Sequence, residues 1–160
     1  VQQVSGWQRP SDAEGDLFAV ACEELIARMR AACDEGGEWP ERVGAGLYAA
    51  LGFLADDRPM ARALLDSRSS SRFGEPFRYL VQTISQLLDE GAPGEARPGP
   101  GTSTAVVAGA GLVVGDCVRL GRFDRLSGLC PSLHLMILLP FLGFEEAKFR
   151  AQAFDDSEKR

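Results

Sequence analysis

Leu129 to Ala147 reads L-C-P-S-L-H-L-M-I-L-L-P-F-L-G-F-E-E-A, and its reading decides the fold. Pro131 opens a helix, and Pro140 with Gly143 ends or kinks it. Between them Leu133, Leu135, Met136, Ile137, Leu138, Leu139, Phe141 and Leu142 are apolar. Residues three to four apart share a helix face, yet these positions run right around the cylinder. A surface helix of a monomer shows a polar face, and this one has almost none. It is too short for a bilayer, which needs about 20 apolar residues. One side therefore packs on its own domain, and the other is expected to meet a second copy of the chain. A central helix buried within one monomer is the alternative.

Outward from that stretch, helix signals dominate. Ser11-Asp12-Ala13-Glu14 has the form of a capping box, with the Ser hydroxyl and the Glu carboxylate reaching each other's backbone amides. The helix it opens runs through about Cys33, with Leu17, Phe18, Ala21, Leu25, Ile26 and Met29 on one stripe. Trp39-Pro40 starts the next, where a missing amide costs nothing. Val43, Leu47, Ala50, Leu51 and Leu54 mark its core face. Gly44, Gly46, Ala49 and Gly52 leave its other sides thin, as suits a helix crowded by neighbours. Asp56-Asp57-Arg58-Pro59 is a break and a new cap for a short helix with Met60, Ala63, Leu64 and Leu65.

Ser67 to Gly74 reads as a loop, and Glu75 to about Leu88 as an amphipathic helix. Gly91 to Gly101 holds four Gly and three Pro in eleven residues, a solvent loop. Thr102 to about Phe123 reads as a long helix, and Glu145 to about Phe154 as the last, before a charged tail at 155–160. Strand signals are scarce. The expected fold is all-α, a helical bundle of six to seven helices forming one domain over 11–154, preceded by an irregular segment over 1–10.

Composition narrows function by exclusion. The 160 residues suffice for one domain with a core, and 45% hydrophobic with 25% charged is ordinary for a soluble protein. The net charge is -6, and the first forty residues hold eight acids against three arginines, a segment that repels phosphates. The chain by itself is expected to bind no DNA directly. Cys22 and Cys33 fall on one helix roughly 16 Å apart, beyond disulfide reach. Cys117 and Cys130 lie among apolar residues and read as small core side chains. With one histidine and no C-x-x-C pair, no metal site is indicated. Neither a signal peptide nor a membrane span is evident, so the expected location is the cytoplasm.

The candidate motifs each have a plain structural explanation. Val106 to Gly115 scans as G-x-G-x-x-x-G, but a dinucleotide turn needs a preceding strand and βαβ units. A helix whose Gly111 and Gly115, with Ala108, admit a close neighbour explains the same letters. His134 is the only histidine and sits within the apolar helix, so no nucleophile–base pair is available and no catalysis or cofactor is expected. Asp56-Asp57, Glu145-Glu146 and Asp155-Asp156 fall at helix ends, where acids near a helix start complement the dipole. Arg119, Arg122 and Arg125 suit an anion site or, more simply, one solvated helix face. Tyr48, Phe53, Phe73, Phe77 and Tyr79, with Met29 and Met60, fit either a core or the wall of an apolar small-molecule cavity with a few hydroxyls.

Taken in order, S-D-A-E-G-D-L-F, E-W-P-E-R-V, F-L-A-D-D-R-P-M-A-R-A-L-L, the Gly-containing helix and L-L-P-F-L-G-F-E-E-A resemble the C-terminal half of a TetR-type transcriptional regulator. The resemblance covers roughly Ser11 to Ala147. It implies an effector-binding domain that dimerises when its last two long helices, here Thr102–Phe123 and Ser132–Leu142, form a four-helix bundle with a partner's. Candidate interface residues are Gly111, Gly115, Arg119, Leu133, Ile137, Pro140 and Phe141. The family's cavity lies among the preceding helices, which makes Met29, Leu47, Tyr48, Leu51, Met60, Phe77, Tyr79, Leu80 and Ile84 the candidate lining of a site for a lipophilic effector.

The family's N-terminal helix-turn-helix is not matched, and Trp7-Gln8-Arg9-Pro10 stands where its last segment ends. The expected function is thus the effector-binding and homodimerisation part of a TetR-like regulator without its DNA-reading module. A stand-alone helical protein that heterodimerises with a full-length regulator and antagonises it is the alternative. Coding sequence for a helix-turn-helix directly upstream distinguishes the two.

Overall fold

The computed structural model describes residues 12–65, 75–94 and 98–159. They form seven α-helices: α1 (Asp12–Asp34), α2 (Trp39–Asp56), α3 (Arg58–Leu65), α4 (Glu75–Asp89), α5 (Thr102–Arg119), α6 (Cys130–Leu142) and α7 (Phe144–Glu158). Two 3-10 turns, Phe123–Arg125 and Ser127–Leu129, join α5 to α6. No strand occurs among the described residues, so the all-helical expectation stands and the dinucleotide turn is excluded. The Ser11 capping box, the 67–74 loop with Phe73, and Trp7–Pro10 lie outside the described residues.

Helix α2 is the centre of the bundle. It packs on α1, α3, α6 and α7, while α4 pairs with α5 and α6 with α7. Its small residues make this possible: a Cβ at Gly44 would stand 2.8 Å from His134 Cε1 and 2.9 Å from Phe154, and one at Gly46 would stand 2.9 Å from Cys33 Sγ. Gly52 faces open space instead. The helix starts on a local lock, with the Glu38 amide donating to Glu41 Oε2 at 3.0 Å. The break after it is capped as its sequence suggests: the Met60 amide donates to Asp57 Oδ1 at 3.1 Å.

Leu51, Leu126 and Leu138 are among the most deeply buried side chains. Trp39 ties three helix ends together. Its indole N–H donates to the Leu88 carbonyl at 3.1 Å, and its ring lies 5.0 Å from that of Phe141. Ser103 Oγ donates to Asp89 across the α4–α5 connection.

Two helix limits differ from the sequence reading. α5 stops at Arg119 rather than running to Phe123, because Gly121 at φ 70° takes a left-handed turn there. Arg119, Arg122 and Arg125 therefore share no helical face; Arg119 pairs with Asp116 at 2.5 Å. α7 runs on to Glu158, and Asp155-Asp156 lie within it rather than in a tail. Asp155 pairs there with Lys159.

α6 is 13 residues long, about 20 Å, against a hydrocarbon core of about 30 Å. The stretch Phe123–Leu142, with mean hydropathy 1.4, is long and apolar enough to cross a membrane by composition, but its first seven residues are the two 3-10 turns.

Candidate functional site

α1, α2, α3, α4 and α5 together line a partly open cavity of about 140 Å³. α2 supplies Val43, Leu47, Leu51 and Leu54; α4 supplies Phe77, Leu80, Ile84, Leu87 and Leu88. Val107, Ala110, Gly111 and Val114 of α5 face it, with Leu25, Met29 and Cys33 of α1 and Ile137 of α6. The space follows from the sequence of α2 and α5, where alanine and glycine stand opposite leucine. A Cβ at Gly111 would touch the Phe77 ring at 3.4 Å, so α4 lies close against α5 there.

The wall is hydrocarbon apart from one thiol. Cys33 Sγ–H donates to the Arg42 carbonyl at 3.3 Å. Burial pushes this thiol up, the Arg42 charge opposing that shift, and the group is neutral at pH 7. All four cysteines are free. Burial carries Cys22 and Cys130 to about 11, so both are inert packing residues, as expected of Cys130 from its surroundings.

Of the candidate lining residues, Met29, Leu47, Leu51, Phe77, Leu80 and Ile84 come together around this cavity. Tyr48 and Tyr79 do not. They are exposed, at 45% and 61%, and give the site no hydroxyl. Met60 faces a separate shallow groove with Val20, Glu24, Phe53 and Asp57. Phe53 is core, with the Arg28 guanidinium over its ring at 5.1 Å. Leu54, Leu64, Val107 and Val114 line it as well; in the sequence they sit on core stripes, and nothing in a stripe separates a cavity wall from a filled core.

The candidate interface residues are also redistributed. Leu133, Ile137 and Phe141 are buried inside their own chain, and Ile137 belongs to the cavity wall. Gly111 faces Phe77 and Gly115 faces Leu65, both within the chain. Pro140 and Arg119 remain on the surface. Outward apolar positions include Leu112 and Val113 of α5, Leu120 just beyond its end, Leu139 of α6, and Phe144 and Phe149 of α7, while Leu17 and Val20 are exposed on α1. Leu135 and Met136 are half-buried beside them.

His134 is fully enclosed, its Nε2–H donating to the Pro40 carbonyl at 2.8 Å and its ring edge-on to Phe154 at 5.3 Å. Nδ1 has no partner among the described residues. Burial lowers its basicity, only partly offset by the bond to Pro40. Groups of three or more potential metal-ligating side chains are absent among the described residues.

No protein-family model, no curated protein and no solved structure matches this chain.

Proposed function

We propose that this chain is the effector-binding and dimerising part of a transcriptional regulator resembling the TetR family. A single feature of α5 carries the reading. Its inner face, Val107, Gly111 and Val114, walls the apolar cavity, while its outer face presents Leu112 and Val113 to solvent. The neighbouring α6 behaves alike, with Ile137 on the cavity and Leu139 outward. Exposed leucine, valine and phenylalanine on adjacent helices suit an isologous contact with a second copy. A small apolar molecule seated in the cavity presses on the helices that such a contact would use. Regulation follows if the effector binds one relative placement of the two copies more tightly than the other.

Native mass spectrometry of the purified protein tests both halves. Twice the chain mass plus a small-molecule remainder is the expected spectrum. A monomer at micromolar concentration would remove the regulatory reading.

A further inference from the structure

The wall of the cavity proposed as the effector site selects the chemistry of its occupant, and the inference drawn from it rests on that reading. Among the described residues, no side chain lining it carries a nitrogen or an oxygen. Leu47 and Leu51 of α2, Leu80 and Ile84 of α4, and Val107 and Val114 of α5 typify the surface. The most polar side chain there is the Cys33 thiol, which is neutral and already donates to the Arg42 carbonyl. Most of the lining lies within helices, whose amides and carbonyls bond one another. Near the end of α4, the Leu88 carbonyl accepts from the Trp39 indole.

The basic side chains nearby stay out of this space. Neither Arg42 nor His134 lines it, and both Arg42 Nε and His134 Nδ1 are buried away from any ligand atom. The Arg42 charge is felt at the Cys33 thiol, but only through space. An ionised molecule entering the cavity would exchange water for hydrocarbon with no group to pair its charge, at a steep cost. A neutral hydrocarbon makes the favourable exchange, leaving water for apolar contacts.

Volume sets the second limit. An apolar cavity of about 150 Å³ lined by leucine, isoleucine and phenylalanine holds benzene, which sets the scale for the roughly 140 Å³ here.

We propose that the cavity binds a neutral hydrocarbon of single-ring size, an alkylbenzene or a short alkyl chain with at most one hydroxyl, and rejects ions of either sign.

The test is a titration of the ¹⁵N-labelled protein at pH 7 with toluene, 1-hexanol, hexanoate and hexylammonium, followed through the amides of Leu80, Ile84, Val107 and Ala110. Toluene and 1-hexanol are expected to shift these amides, and each ion to bind roughly tenfold or more weakly than 1-hexanol. Either ion binding within about tenfold of 1-hexanol would overturn the assignment of a neutral ligand and leave the cavity reading in place. Failure of all four compounds to move the cavity amides would overturn the cavity reading itself. Oligomeric state is measured separately, so a monomer that prefers the neutral ligands would remove the regulatory reading and uphold the ligand class.

Discussion

His134 and Pro40 lie 94 positions apart in the chain and meet at 2.8 Å, imidazole Nε2–H to backbone carbonyl. The contact fastens the apolar helix α6 to the first turn of α2, and it fixes the imidazole tautomer. Nδ1 is buried without a hydrogen-bond partner among the described residues, which disfavours the charged ring.

This contact makes stability pH-dependent in a defined window. Burial holds the His134 pKa below its usual 6.5, so the unfolded chain takes up the proton first. Stability contributed by the neutral ring is fully present above about pH 6.5 and is lost as pH falls through the lower folded value. His134 is the only histidine, so no other imidazole contributes between pH 5.5 and 7, roughly the range where an imidazole titrates. Urea unfolding across that range is expected to show a falling midpoint with falling pH, and His134→Leu is expected to flatten it.

Gly44 and Gly52 sit on the same helix and predict opposite effects. A Cβ at Gly44 collides with His134 and Phe154, whereas one at Gly52 meets nothing within 4 Å. Gly52→Ala is expected to gain about 0.5–1 kcal/mol through helix propensity. Gly44→Ala is expected to lose about 1–3 kcal/mol through overpacking. Paired thermal or denaturant melts check both.

Ala110 is buried at the cavity wall. Ala110→Leu extends three carbons into the open space, and stability is expected to hold or rise by up to about 1 kcal/mol. Uptake of 1-hexanol, followed through the amide shifts of the ¹⁵N-labelled protein, is expected to fall at least tenfold relative to the wild type. Undiminished uptake would place the ligand elsewhere.

Tyr48 and Tyr79 illustrate what the sequence could and could not convey. Helix identity was legible because Pro, Gly and Asp clusters punctuate apolar stripes of the right period, as at Asp57 before α3 and Gly143 before α7. Helix phase was legible where a stripe had a polar opposite: the α4 stripe Phe77, Leu80, Ile84 does face the cavity. On α6 apolar residues run all round, so period alone gives no direction, and Leu133, Ile137 and Phe141 turn inward while Leu139 faces out. The tyrosines are aromatic but point to solvent, a matter of helix rotation set by neighbours such as Gly46 against Cys33. The early end of α5 depends on one left-handed glycine, Gly121, among several helical ones.

The central claim is that the outward apolar side chains of α5 and α6 meet a second copy of the chain, and sedimentation equilibrium tests it most directly. The wild type is expected to sediment at twice the chain mass, and the double variant Val113→Glu/Leu139→Glu at the chain mass with its helical circular dichroism unchanged. A wild-type protein that remains at the chain mass across the micromolar range would contradict the account.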